Sequence, residues 1–265
     1  MFDYHIHSDI SFDATGSLPA IVASAAAKGL KEICITEHMD IDPAGLTQEI
    51  GLDFGRYDRE FAELMQTPRP IAVRQGVELG ALGDRAEEFT AIALAHDYDF
   101  IICSQHFVGT RDPYYPSFYE GLTMHEAYLG YLEAIYETLK VFHEYDVVGH
   151  IGYPSKYYRG DGPCKFQYSE FPDIIDAILK QAVSDGKGIE ANTSSIPKTA
   201  DTIATLDMLR RFRQLGGEMV TVGSDSHAPE NVGNFVPRGL EIIKEAGFKY
   251  VCTFEKRKPT FHKIP

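Results

Sequence analysis

The sequence predicts an α/β barrel of parallel strands in a single domain, and three observations predict it. Short β-rich runs alternate with longer amphipathic stretches along the whole chain, the pattern of repeated βα units. The 265 residues match one such barrel, which typically needs about 250. Six of the ten histidines fall at or just beyond the ends of apolar runs. In a parallel barrel those ends all open onto one face, so residues far apart in sequence converge there.

Taken in order, strand 2–6 runs into DYHIH, and helix 17–29 stops at Gly29. Strand 32–36 ends near His38 in CITEH; an acidic, glycine-containing connection (39–55) and helix 56–66 follow. Strand 71–77 ends at Glu78 in VRQGVE and precedes helix 84–96, and strand 99–103 ends near His106 in IICSQH. Helix 123–144 opens on Thr123 with Glu126, the spacing of a capping box. Strand 146–149 ends at His150, helix 170–185 stops at Gly186, and strand 188–191 runs into Asn192. Helix 199–215 stops at Gly216, strand 219–223 leads into GSDSH, and helix 237–246 follows, with a short eighth strand expected at 250–254. Two connections, 107–119 (FVGTRDPYYPSFY) and 151–168 (IGYPSKYYRGDGPCKFQY), are long and aromatic. Loops of that kind after strands usually cover or shape an active site. No linker, composition shift or repeat divides the chain, so residues 1–265 read as one domain.

A net charge of −14 is an unfavourable bulk field for nucleic acid or an anionic membrane. Any phosphate site must therefore be made locally, by metals or a few basic side chains. The N-terminus passes directly into DYHIH, without a basic segment and apolar core of the secretory kind, and no apolar run reaches the roughly 18 residues of a spanning helix. The expectation is a soluble, cytoplasmic protein; its oligomeric state is not legible. Cys34, Cys103, Cys164 and Cys252 show no C-x-x-C pairing and read as small side chains in a reducing compartment, not as zinc ligands or disulfides.

His5 and His7 stand two apart on a strand, so both imidazoles face the same way and form a chelating pair. The same alternation puts Asp225 and His227 on one face after the apolar MVTV run. Glu78 ends an apolar strand, where a carboxylate can bridge two cations. Asp13 lies in a Ser/Asp/Gly loop where turn chemistry explains an aspartate as well as a metal does. His96, His125, His143 and His262 fall in helices or the tail and are assigned no role in the site. His and carboxylate donors without thiolate admit zinc, iron, manganese or cobalt.

In sequence order, HIHSD, TEH, GVE, SQHF, GH and GSDSH resemble the successive motifs of the PHP (polymerase and histidinol phosphatase) superfamily, over essentially the whole chain. The resemblance implies a distorted (β/α)7 barrel, TIM-like, holding three divalent metals. It implies His5, His7, Glu78 and Asp225 for one metal; Glu78, His106 and His150 for the second; and Asp13, His38 and His227 for the third, with Asp13 standing where members often have His. Length, the SQHFVG segment and the aromatic-basic loop after GH resemble the stand-alone histidinol-phosphate phosphatases of histidine biosynthesis. That implies hydrolysis of a small phosphate monoester, L-histidinol phosphate, with Glu78, Asp225 and His227 in the catalytic machinery and either Asp225 or His227 protonating the leaving alkoxide. Arg159 in KYYRGDG matches the family's phosphate-holding arginine, with Lys156, Arg111 and Lys165 as neighbours able to share the role. Asn192 is read either as a substrate or supporting contact or as a turn residue. Another phosphate ester (nucleotide, sugar phosphate or phosphotyrosine) would use the same ligands. An amidohydrolase would also begin with His-x-His but lacks the TEH motif, and a degenerate scaffold would not keep an intact ligand set.

Overall fold

The computed structural model describes residues 1–45, 50–157 and 166–265; Arg159, Cys164 and Lys165 lie outside them. Seven parallel strands form one sheet in sequence order. They are β1 (Phe2–Asp3), β2 (Glu32–Met39), β3 (Ala72–Gly80), β4 (Phe100–Ser104), β5 (Val147–Val148), β6 (Gly188–Asn192) and β7 (Val220–Gly223). The ring closes where the chain after β1 meets β7 and the residues that follow it. Tyr4 N–H donates to Val222 O at 3.0 Å, and His7 N–H donates to Ser226 O at 2.8 Å. This is a seven-stranded TIM-like barrel.

The connections carry α1 (Leu18–Ala27), α2 (Phe54–Met65), α3 (Ala86–Ala95), α4 (Met124–Leu139), α5 (Pro154–Tyr157), α6 (Pro172–Ser184), α7 (Ile196–Thr199), α8 (Leu206–Gln214) and α9 (Val236–Glu245). The longer helices bury one apolar stripe each, such as Tyr57, Phe61 and Leu64 of α2, against the outside of the strands. The expected capping box is present: Thr123 Oγ1 accepts Glu126 N–H at 3.2 Å, and Glu126 Oε2 accepts Thr123 N–H at 2.8 Å. Gly29, Gly186 and Gly216 all sit at positive φ after helices, where a side chain would be strained.

Two expectations need correction. The run at 250–254 is not a barrel strand: β8 (Tyr250–Glu255) pairs antiparallel with β9 (Lys258–Lys263) in a separate hairpin. The helix expected over 199–215 is shorter: Ala200 turns left-handed (φ 59) and ends the one-turn α7 at Thr199, and α8 begins only at Leu206.

The hairpin closes the barrel end remote from the strand C-termini. Phe254 packs with Tyr4 and Phe100 in a small apolar cluster that includes Ile102 and Val147, and Tyr4 Oη accepts Phe254 N–H at 2.9 Å. Arg257 Nε reaches Asp146 Oδ2 at 2.5 Å. With that end plugged by apolar side chains, the opposite end is free to hold polar ones.

Candidate metal centre

The polar end gathers the strand-end residues singled out from the sequence. His5, His7 and Glu78 are fully buried and His150 nearly so. Glu78 is at the centre, and its two oxygens serve different sides. Oε2 lies 3.2 Å from His5 Nε2, 3.5 Å from His7 Nε2 and 3.0 Å from His38 Nδ1. Oε1 lies 2.9 Å from His150 Nε2 and 3.4 Å from His106 Nε2. Asp225 Oδ1 approaches the first side, 3.8 Å from His5 Nε2 and 3.7 Å from His7 Nε2. Farther out, Asp13 stands 3.7 Å from His38 Nε2 and 3.3 Å from His227 Nε2.

Sets of donor atoms close enough to share one cation are His5, His7 and Asp225; Glu78, His106 and His150; and His7, His38 and His227. A further set, His38, Asp40 and His106, includes a residue the sequence reading passed over. Asp40 Oδ1 lies 2.8 Å from His106 Nδ1 and so fixes that ring with its other nitrogen toward Glu78. Glu190 was also missed. Its Oε1 holds His5 Nδ1 at 2.6 Å, and its Oε2 accepts the His150 N–H at 2.9 Å. The same two-residue alternation that exposed His5 and His7 was available for both, since Asp40 follows His38 and Glu190 precedes Asn192 by two. Glycine makes room for each pair. A Cβ at Gly80 would collide with the Asp40 carboxyl and come within 2.9 Å of His106 Nδ1; one at Gly223 would collide with His5 and come within 2.6 Å of Glu190 Oε1.

The outer oxygen of Asp225 is separately anchored. Oδ2 accepts from Lys156 Nζ at 2.6 Å and from Asn192 Nδ2 at 3.3 Å. Asp225 itself adopts φ 53, a left-handed conformation that aspartate tolerates better than most residues. Asn192 and Lys156 therefore contact a ligand candidate. Arg111 is exposed and is not among the described residues lining the cavity above the centre. His96, His125, His143 and His262 lie elsewhere: His96 stacks on Phe54, His125 on Phe171, His143 pairs with Asp185, and His262 contacts Thr253.

Burial pushes the Glu78 carboxyl up, but the imidazoles of His5, His106 and His38 override it and hold it well below the usual carboxylate range. Burial likewise depresses His5, and Glu190, Glu78 and Asp225 more than reverse this, holding it well above the ordinary histidine value. His7 goes the other way, held low by burial and by His38 and His227. The carboxylates that favour a proton on His5 would favour a cation at the same donors.

The fit to divalent cations follows from the donors themselves. Buried His5 Nε2, His7 Nε2, His38 Nδ1 and Glu78 Oε2 have no hydrogen-bond partner, although they crowd one another. Buried polar atoms are seldom left so. Above them lies a cavity of about 560 Å³ walled by Phe12, Tyr114, Tyr153 and Tyr157, and among the described residues lining it there is no lysine or arginine.

Comparison with known proteins agrees with this geometry. The PHP domain family model matches residues 3–194. The histidinol-phosphatase of Lactococcus lactis subsp. lactis is 31% identical over 263 residues, covering 97% of this chain and 95% of that protein. The crystal structure of histidinol phosphate phosphatase from the same organism, complexed with zinc, L-histidinol and phosphate, superposes with a TM-score of 0.89 at 30% identity and covers 98% of both chains. A family match over more than half of the chain, on residues that form one buried donor cluster, establishes that this chain belongs to the PHP domain family.

Proposed function

We propose that the chain, acting as one domain over residues 1–265, is a metal-dependent phosphomonoesterase that hydrolyses L-histidinol phosphate to L-histidinol and phosphate in histidine biosynthesis. The observation that carries it is the division of Glu78 between two donor groups, His5 and His7 on one oxygen and His106 and His150 on the other. A bridging carboxylate at such a point is the device of two-metal phosphoesterases. Resemblance in sequence and fold to a phosphatase crystallised with L-histidinol and phosphate supports the substrate.

His5, His7, Glu78 and Asp225 would hold one ion, Glu78, His106 and His150 a second, and Asp13, His38 and His227 a third; zinc, iron and manganese all suit these donors. When bound, such ions supply a water that ionises near neutral pH and positive charge for the phosphoryl oxygens. Ser104 Oγ donates to Glu78 Oε1 at 2.6 Å and fixes the central carboxylate. Lys156 and Asn192 hold the outer oxygen of Asp225, which supports the ligand role of Asp225. The aromatic walls exclude water from the charges they surround, and electrostatic stabilisation is worth most in such a setting. Arg159, outside the described residues, is assigned to the phosphoryl oxygens. Arg159→Ala should then lower kcat/KM on the order of 10²-fold without changing metal content.

Elemental analysis of protein purified without chelator, coupled to phosphate release from a panel of monoesters, tests the reading. Three divalent ions per chain, or two if the Asp13 site is weak, and a preference for L-histidinol phosphate are expected. Full activity with one ion or none would overturn it.

A further inference from the structure

The cavity over the metal centre leads outward along a ladder of aromatic rings. Tyr153 lies 4.9 Å from the His150 ring, Tyr157 lies 4.8 Å from Tyr153, and Tyr114 lies 4.9 Å from Tyr157. At the outer end stands Asp112. Its Oδ1 accepts the Tyr114 N–H at 2.7 Å, and the residue lines the cavity close enough for the imidazoles of His106 and His38 to act on its carboxyl. It belongs to none of the donor sets that could share a cation. Among the described residues lining this cavity there is no lysine or arginine, and the carboxylate is partly desolvated beside aromatic faces: burial pushes its pKa up by more than the imidazoles of His106 and His38 draw it down.

A carboxylate in that place is a poor neighbour for a phosphoryl dianion, and it is costly to desolvate unless something compensates. What compensates is a cation. An ammonium would form a charge-assisted hydrogen bond to the carboxylate while lying against tyrosine rings, whose faces attract positive charge. With the phosphoryl group at the metal centre, the alcohol half of the ester points out along the ladder toward Asp112. We infer that Asp112 is a specificity-determining residue that receives the cationic part of the leaving alcohol, so that the enzyme selects phosphate monoesters of amino alcohols over those of neutral or anionic ones. The assignment rests on the histidinol phosphate reading and adds to it the residue that recognises the substrate half carrying no phosphate. It also supplies repulsion against anionic alcohols such as nucleosides bearing further phosphates, and specificity commonly uses repulsion of that kind.

The test compares L-histidinol phosphate, its analogue lacking the amino group, and p-nitrophenyl phosphate on metal-loaded wild type and Asp112→Asn. The amide keeps the side-chain size and the acceptor for the Tyr114 N–H. In the variant, kcat/KM for L-histidinol phosphate should fall about 10–100-fold, the worth of a hydrogen bond to a charged group. The other two esters should change little, and metal content should stay the same. Asp112→Ser, whose hydroxyl can also accept from Tyr114, repeats the measurement in a second background. Equal losses on all three esters, or an undiminished preference for the amino ester in both variants, would overturn the assignment alone. A wild-type enzyme indifferent to the amino group would overturn it together with the substrate reading it rests on.

Discussion

At the scale of single residues, Glu78 is the one side chain whose loss should remove function without removing the fold. It is fully buried, and its two oxygens face five imidazoles. Glu78→Gln keeps the shape and the Ser104 contact but removes the charge that two cations would share, so phosphate release should become undetectable while the far-UV circular dichroism stays native. His96→Asn, at a residue that stacks on Phe54, meets Tyr98 and pairs with Asp58 away from the cluster, should run at near wild-type rates. Comparable losses in the two variants would undo the separation between site and structural histidines. That separation was legible in the sequence because imidazoles are rare at strand ends without a purpose, and alternation fixes their common face. Asp40 and Glu190 escaped because they bond to ligand rings and not to the cluster centre, and a residue that orients another leaves no motif of its own. The phosphate anchors carry the weakest sequence signal, because basic loop residues have no periodicity, and Arg159 lies outside the described residues.

At the scale of elements, α4 shows how a distant cap bears on the site. Its Tyr131 is fully buried, and the hydroxyl donates to the carbonyl of His150 at 3.3 Å, so the helix helps to hold the loop that carries a ligand candidate. Thr123→Ala removes half of the capping box. The expected cost is about 1 kcal/mol, read as a fall in Tm of about 2–4 °C for a chain of this size. Because the box lies about two helical turns from the Tyr131 contact, kcat at 25 °C should stay at the wild-type value; a proportionate loss of activity would mean that α4 moves as a unit. The long helices and the buried strands were readable because each repeats an apolar period several times. α5 and α7 were not, since a single turn has no period to detect. The hairpin was missed for a different reason. Its turn places Lys256 and Arg257 at φ 50 and 63, where two-residue hairpins ordinarily use Asn-Gly or Asp-Gly. The usual sequence signal is therefore absent, and the run at 250–254 read as one more barrel strand.

At the scale of the whole molecule, the barrel divides its two ends between opposite tasks. The end sealed by β8 and β9 is apolar, while the open end concentrates buried carboxylates and imidazoles that favour one another's charged forms in the absence of cations. The two tasks are linked through protons. Without metal, His5, His38 and His106 have pKa values above the ordinary 6.5: burial opposes this, and carboxylates led by Glu190, Glu78 and Asp40 respectively override it. Groups raised in the folded state contribute stability that is fully present below the unfolded value of 6.5 and is lost as pH rises through the raised one. His7, depressed by burial and by His38 and His227, gives the reverse slope only below 6.5, so it does not offset the loss above it. The metal-free protein should accordingly become less stable as pH rises from about 6.5. Metal binding runs against this trend, because ligands must shed their protons before they can coordinate, and affinity grows with pH. The gain in Tm on zinc loading should therefore widen steadily from pH 6.5 to 8.5, since the apo state falls while the loaded state holds. Differential scanning calorimetry of chelator-treated and zinc-loaded protein across that range measures it. A gain that is flat with pH, or that narrows, would mean that the cluster's protons and its cations do not compete for the same sites. Glu78→Gln should flatten the same profile, because removing the central carboxylate weakens both the imidazolium pairs and the cation site at once.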